Sequence, residues 1–228
     1  MKLNRIKMTA ILLAAIACAS LALSGCTPRL IGEAKAKEAG LAFINKVFDV
    51  NETEAKVDYG EYPVDTPAQD QSTGQEHDAT VMRFYYVTVM KEHTDEVLYY
   101  AQVDAISGFA YSANRGSGTL SPLTEEQIKQ AEELMQLPFG ERDMMNRIYE
   151  AKLPQTVYDW MSARFEKQST IGSVEYGSMG GDLNESHCVY LDCVVTFENG
   201  AVYVVDIIWP TKQINGIEIL SQPVVRGS

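Results

Sequence analysis

Residues 99–113 read YYAQVDAISGFAYSA, an aromatic and β-rich run that is broken by a polar turn and then resumes. Asp104 and Ser107 carry short side chains that can hydrogen-bond nearby backbone amides, and Gly108 can take positive φ without steric cost. The stretch therefore predicts a strand ending near Asp104, a tight turn, and a return strand from Phe109. Asp104 is explained as a turn former and needs no role as a general acid.

Working outward, residues 80–91 and 96–105 are both dense in aromatic and β-branched side chains and are joined by the short polar connection HTDE. They predict an antiparallel hairpin. Met82, Phe84, Tyr86 and Thr88 alternate with Val81, Arg83, Tyr85 and Val87, so one face packs on the core while the other can be wet. Upstream, residues 33–49 place Leu41, Ile44 and either Val47 or Phe48 at helical spacing above a flank of Lys35, Lys37 and Glu38, which predicts an amphipathic helix. Residues 55–59 form a short candidate strand. Residues 63–79, with almost no bulky side chains, read as an exposed loop whose His77 belongs to a solvated insertion.

A helix containing EAKAKEAGLAFI, a hairpin, and then the strand and turn of residues 99–113 together resemble the PepSY domain of secreted bacterial proteins. In that family a strand ends in a V-D-x-x-[ST]-G turn. The resemblance covers about 80 residues and implies an α+β fold with a helix on an antiparallel sheet, no catalytic residues, and a role in binding or restraining peptidases.

The extreme N-terminus carries Lys2, Arg5 and Lys7 ahead of an apolar stretch over residues 10–23. A helix needs roughly 20 apolar residues to cross a bilayer, so this reads as a signal peptide. Leu23, Ser24, Gly25 and Cys26 are similar to the bacterial lipobox. That resemblance implies cleavage between Gly25 and Cys26, diacylation of the Cys26 sulfur, and a body held by its lipid on the extracytoplasmic face of the cell membrane.

Charge narrows the partners. The first 25 residues hold three of the 19 basic residues and none of the 31 acidic ones, so the formal charge falls from −12 to −15 on cleavage. Nucleic acid and anionic headgroups repel such a body. Cys188 and Cys193 are the cysteines left beyond the lipobox. On one straight strand an odd separation puts them on opposite faces, about 16 Å apart, beyond disulfide reach. Both read as small buried hydrophobes. His187, Cys188, Asp192 and Cys193 lack metal-site spacing, so no metal is expected.

Residues 112–121, SANRGSGTLS, are small and polar and put a linker at residues 114–123. Beyond it Thr124 and Gln127 form a capping box, with Leu123 stapled to Ile128. Three helices follow: one with Ile128, Ala131, Leu134 and Met135, a second burying Met144, Met145 and Ile148, and a third with Val157, Trp160, Met161 and Phe165. Strands are expected at residues 171–178, 188–198, 201–209 and 213–221. Asn199-Gly200 signals a two-residue hairpin. That loop pairs Cys193 with Asp206 and sets Asp206 on an otherwise apolar face with Phe197, Val202, Val204 and Ile208, making Asp206 and Cys193 the candidate pocket. Desolvation would raise the Asp206 pKa toward a usable acid or base, though a structural polar network would do the same.

Residues 124–222 are similar in fold alone to the cone-shaped α+β domains of the nuclear transport factor two-like and ketosteroid-isomerase-like superfamily. Those cones often hold a small-molecule pocket, and some members use a strand-borne Asp. Here no acid pair or histidine partner matches. His77, His93 and His187 all sit in or beside polar turns, and no catalytic motif is present.

The expectation is an α+β protein of two small domains after a cleaved signal peptide at residues 1–25. A PepSY-like domain spans residues 26–113, and residues 124–228 add helices followed by a four-stranded antiparallel sheet. The function expected is non-enzymatic binding of a peptide, a partner protein such as a peptidase, or a small apolar ligand, with no cofactor. The alternatives are an enzyme using Asp206 as acid or base, and a structural factor of envelope assembly.

Overall fold

The turn at Asp104 is built as its side chains require. Asp104 Oδ1 accepts from the amides of Ile106 at 3.2 Å and Ser107 at 2.6 Å and from the Ser107 hydroxyl at 2.6 Å. Gly108 has φ +78° and donates its amide to the Asp104 carbonyl. This turn joins β3 (Val97–Asp104) to β4 (Ala110–Arg115). The computed structural model describes residues 29–64, 80–138, 142–165, 169–180 and 187–221.

Helix α1 (Glu33–Phe48) lies against the sheet formed by β1 (Lys56–Val64), β2 (Thr80–Met90), β3 and β4. Its Ala36, Ile44 and Val47 are fully buried and face Val87, Ala101 and Val103. Gly40 permits that approach, because a Cβ there would come within 2.6 Å of Val87 Cβ. β1 is longer than residues 55–59: Pro63 and Val64, expected in the loop, pair with Val81 and Thr80. The rest of the expected loop, residues 65–79 with His77, lies outside the described residues, as do residues 1–28 with the signal peptide and Cys26.

In the second half, α2 (Glu125–Met135) opens with the capping box, both Thr124–Gln127 hydrogen bonds being present. It is followed by α3 (Arg142–Glu150) and α4 (Leu153–Phe165), which bury Met144, Ile148, Leu153, Val157, Met161 and Phe165. The chain then runs as an antiparallel meander: β5 (Ile171–Gly180), β6 (Val189–Phe197), β7 (Val202–Trp209) and β8 (Gln213–Ser221). Among the described residues no helix is long and apolar enough to cross a membrane.

The β6–β7 hairpin corrects the expected register. Phe197 donates its amide to the Ala201 carbonyl, and Gly200 has φ +85° while Asn199 does not have positive φ. The loop is therefore the three residues Glu198, Asn199 and Gly200, a type I turn closed by a glycine bulge, in place of a two-residue type I′ turn. One extra loop residue shifts every pair by one. Cys193 pairs with Val205, and Asp206 stands opposite Asp192.

A larger difference concerns the two halves. The strand order is β1-β2-β3-β4-β8-β7-β6-β5, a single eight-stranded antiparallel sheet. β4 pairs with β8 through Ser112–Glu218, Ala113–Ile217 and Asn114–Gly216. Each meander ends on a strand that would otherwise expose a row of unpaired backbone groups, and joining them removes both edges. The stretch expected as a linker holds the end of β4 and a short 3₁₀ turn (Ser117–Thr119) pinned to β8 by reciprocal hydrogen bonds of the Gln213 side chain to Ser121 N and Thr119 O. From residue 31 onward the described chain is one compact unit with one continuous core, in place of two separate modules. The expected self-contained cone is half of a shared sheet. The fold is α+β.

Candidate functional site

Both α1 and α4 pack on the core face, and their C-terminal ends meet. Arg164 Nε donates to the Val47 carbonyl at 2.9 Å, and Lys46 Nζ stands 4.1 Å from the centroid of the Phe165 ring. Between these ends opens a cleft of about 490 Å³, lined by Phe43 and Lys46 of α1, Phe109 ahead of β4, Phe165 of α4, Phe197 of β6 and Tyr203 of β7. The rings are mutually braced: Phe165 and Tyr203 lie 5.5 Å apart, Phe197 and Tyr203 5.3 Å. Aromatic pairs at this spacing add to simple burial and hold the walls in shape. The cleft takes side chains from both halves and so exists because β4 and β8 join them.

Lys46 is the one charged side chain among the described residues that line this cleft. Burial lowers its pKa from the ordinary lysine value, since an ammonium stripped of water is less stable in its charged form. No described carboxylate forms an ion pair with it. An apolar chamber of this size with few converging polar groups is the usual form of a small-molecule site.

The opposite face of the sheet carries a second depression, of about 300 Å³, lined by polar groups including Tyr100 and Gln102 of β3, Asp192, Asp206 and Glu218. Asn215 Nδ2 donates to Asp206 Oδ2 at 2.6 Å, while Asp206 Oδ1 is buried and has no hydrogen-bond partner among the described residues. Asp192 stands directly across the strand pair and accepts from the Ser178 hydroxyl. Burial raises the Asp206 pKa, the Asn215 bond opposes this, and the Asp192 charge adds to it. Like charges directly opposite on adjacent strands are unfavourable.

Asp206 is thus recessed among polar neighbours, where the sequence places it on an otherwise apolar face, and Cys193 does not share its depression. The register turns Cys193 into the helix-facing core, where it is fully buried. Burial, then the Asp192 and Asp206 charges, push its thiol up to about 12, so it stays protonated. Among the described residues neither Cys188 nor Cys193 is part of a disulfide. His93 and His187 occupy positive-φ turn positions, apart from either depression. Among the described residues no cluster of three or more His, Cys, Asp or Glu is placed to hold a metal ion.

A pH dependence follows. Because Asp206 has a raised folded pKa, the folded chain holds its proton to higher pH than the unfolded chain, and stability falls as pH rises from about 4. Asp206→Asn keeps an acceptor for Asn215 and removes the buried charge. It is expected to raise the melting temperature at pH 7, with the gain shrinking as pH drops through the carboxylate range. A loss at pH 7 would mean that the ionised form is satisfied in the folded chain.

Nothing in the sequence singles out Lys46, because a lysine in the last turn of a helix reads as a partner of the helix dipole. Nor does the sequence mark Tyr100, Gln102 and Glu218 as neighbours of Asp206. Glu218 reaches the depression through the β7–β8 pairing, whereas Tyr100 and Gln102 of β3 share it only because β4 pairs with β8.

No known protein family matches this chain, and no curated protein does. Among solved structures the Bacillus megaterium YpeB C-terminal domain is similar at 9% sequence identity with a TM-score of 0.36, over 83% of this chain. The match spans 63% of the length of that YpeB domain.

Proposed function

We propose that this chain is an extracytoplasmic binding protein, held to the membrane by acyl chains on Cys26, whose inter-helix cleft takes a small apolar ligand. The observation that carries the reading is the cleft itself: about 490 Å³ walled by rings from both halves of the fold. Two acyl chains are enough for stable anchoring where one is marginal. The test is displacement of a neutral fluorescent probe such as N-phenylnaphthylamine from the full chain. Saturable binding that Ala110→Leu weakens supports the cleft, because Ala110 lines it at its β4 wall. Absence of saturable binding, or binding indifferent to that filling, refutes it. Anchoring is checked separately by the mass of the native N-terminal peptide, which should start at Cys26 and carry the acyl groups.

A second reading is favoured by one feature, the unbonded Asp206 Oδ1 in the groove of the opposite face. There Asp206 would serve as an acid or base toward a bound substrate, with Asn215 positioning it. Turnover of any hydrolytic or proton-transfer substrate that Asp206→Asn abolishes, while the fold is kept, would make this the primary function. No turnover with either protein leaves Asp206 a structural polar group.

A further inference from the structure

Resting on the reading that the inter-helix cleft binds a small apolar ligand, we propose that this ligand is a monocarboxylic acid whose apolar body fills the aromatic chamber and whose carboxylate pairs with Lys46. Three observations converge. Lys46 is the one charged lining group among the described residues, and its ammonium rests on the Phe165 ring with no described carboxylate in reach. A ring face partly compensates a desolvated cation, but leaves its hydrogen-bond donors available to an anion. Two further cations stand at this end of α1: Arg164, fixed by the Val47 carbonyl and stacked 5.1 Å from Trp160, and Arg115 of β4, 4.7 Å from Phe48. In a chain of net charge −12, this is a local region where an anion is attracted.

The chemistry also limits the head group. Asn199 is the other polar side chain that lines the cleft apart from the Tyr203 phenol. One ammonium and one amide suit a single carboxylate, whereas a phosphate dianion calls for several donors or a nest of amides. Aromatic walls accept either an aliphatic or an aryl body.

The experiment is calorimetric titration of the full chain with decanoic acid and with decanol at neutral pH and low salt, for the native protein and for Lys46→Met. A charge-assisted bond in a partly dry site should make the acid bind about tenfold tighter than the alcohol. Lys46→Met should erase that preference while leaving decanol affinity within about twofold. As a measurement on the native chain, the Lys46 ammonium signal should titrate at higher pH when decanoic acid is bound, and acid affinity should fall as pH rises through the Lys46 pKa. The ionisable groups around Lys46 are Asp49 at the end of α1, Arg115 of β4, Arg164 of α4, whose pKa burial lowers, and Tyr203, whose pKa burial raises. Equal binding of acid and alcohol to both proteins overturns the proposal and leaves the apolar cleft standing. Binding of neither compound to the native chain overturns the cleft reading and the proposal with it.

Discussion

Ile217→Asp is expected to destabilise both halves of the chain together, by about 4 kcal/mol or more. Ile217 is 2% exposed and sits on β8 at the junction, paired with Ala113 of β4 on one side and Val205 of β7 on the other. Deleting a buried isoleucine side chain costs about 2–5 kcal/mol, and a carboxylate with no partner in that position adds its desolvation. Total stabilities of about 5–15 kcal/mol leave little after such a loss. The measurement is hydrogen exchange on the variant. Amides of α1 and of β6 should lose protection in parallel, because one core spans both. Loss confined to β5–β8, with α1 still protected, would mean that the halves fold independently. Ile217→Val, which keeps the apolar contact, should cost about 1 kcal/mol.

Phe165→Ala is expected to cost about 3–5 kcal/mol, the range for a fully buried ring. The Phe165 ring is 1% exposed, lies 6.1 Å from Trp160 and 5.5 Å from Tyr203, and carries the Lys46 ammonium on its face. Removing it deletes a wall of the cleft and one of the two contacts that join the ends of α1 and α4, leaving the Arg164–Val47 hydrogen bond. Urea unfolding should show a lower midpoint with an unchanged slope, while Phe165→Leu should lose less than about 1.5 kcal/mol because most of the volume remains. A cost below about 1 kcal/mol for the alanine variant would show that α4 does not close over the sheet as described.

Local chemistry makes much of this fold legible in the sequence. The helix at residues 33–49 ends one residue early, the Thr124 capping box forms with both bonds, and residues 213–221 are a strand at the expected bounds. Each depends on side chains within a few positions of one another. The β6–β7 register shows where such reasoning stops. Asn-Gly is compatible with more than one turn, and here Asn199 instead accepts the Ala201 amide through its side chain while Gly200 supplies the bulge. One residue of difference then moved Cys193 into the core and left Asp206 on the other face.

The junction of β4 with β8 had no local signal at all. Ser112 and Glu218 are more than 100 positions apart, and the polar composition of residues 112–121 is that of a surface connection. Its small side chains instead allow close packing at the seam: Ala113 and Ser112 are both buried. The aromatic cleft was hidden for the same reason. Phe165 reads as an ordinary core residue of its own helix, and its meeting with Phe43 of α1 is a consequence of the shared sheet.

One sheet runs through both halves and thereby builds the cleft. Nuclear Overhauser spectroscopy of the labelled chain in solution tests it most directly, through cross-strand backbone contacts between Ala113 and Ile217 and between Ser112 and Glu218. The expected result is that both contacts appear, at intensities like those between Cys193 and Val205 within the β6–β7 hairpin. Strong hairpin contacts with none between β4 and β8 would contradict the account, separating the halves and removing the cleft with them.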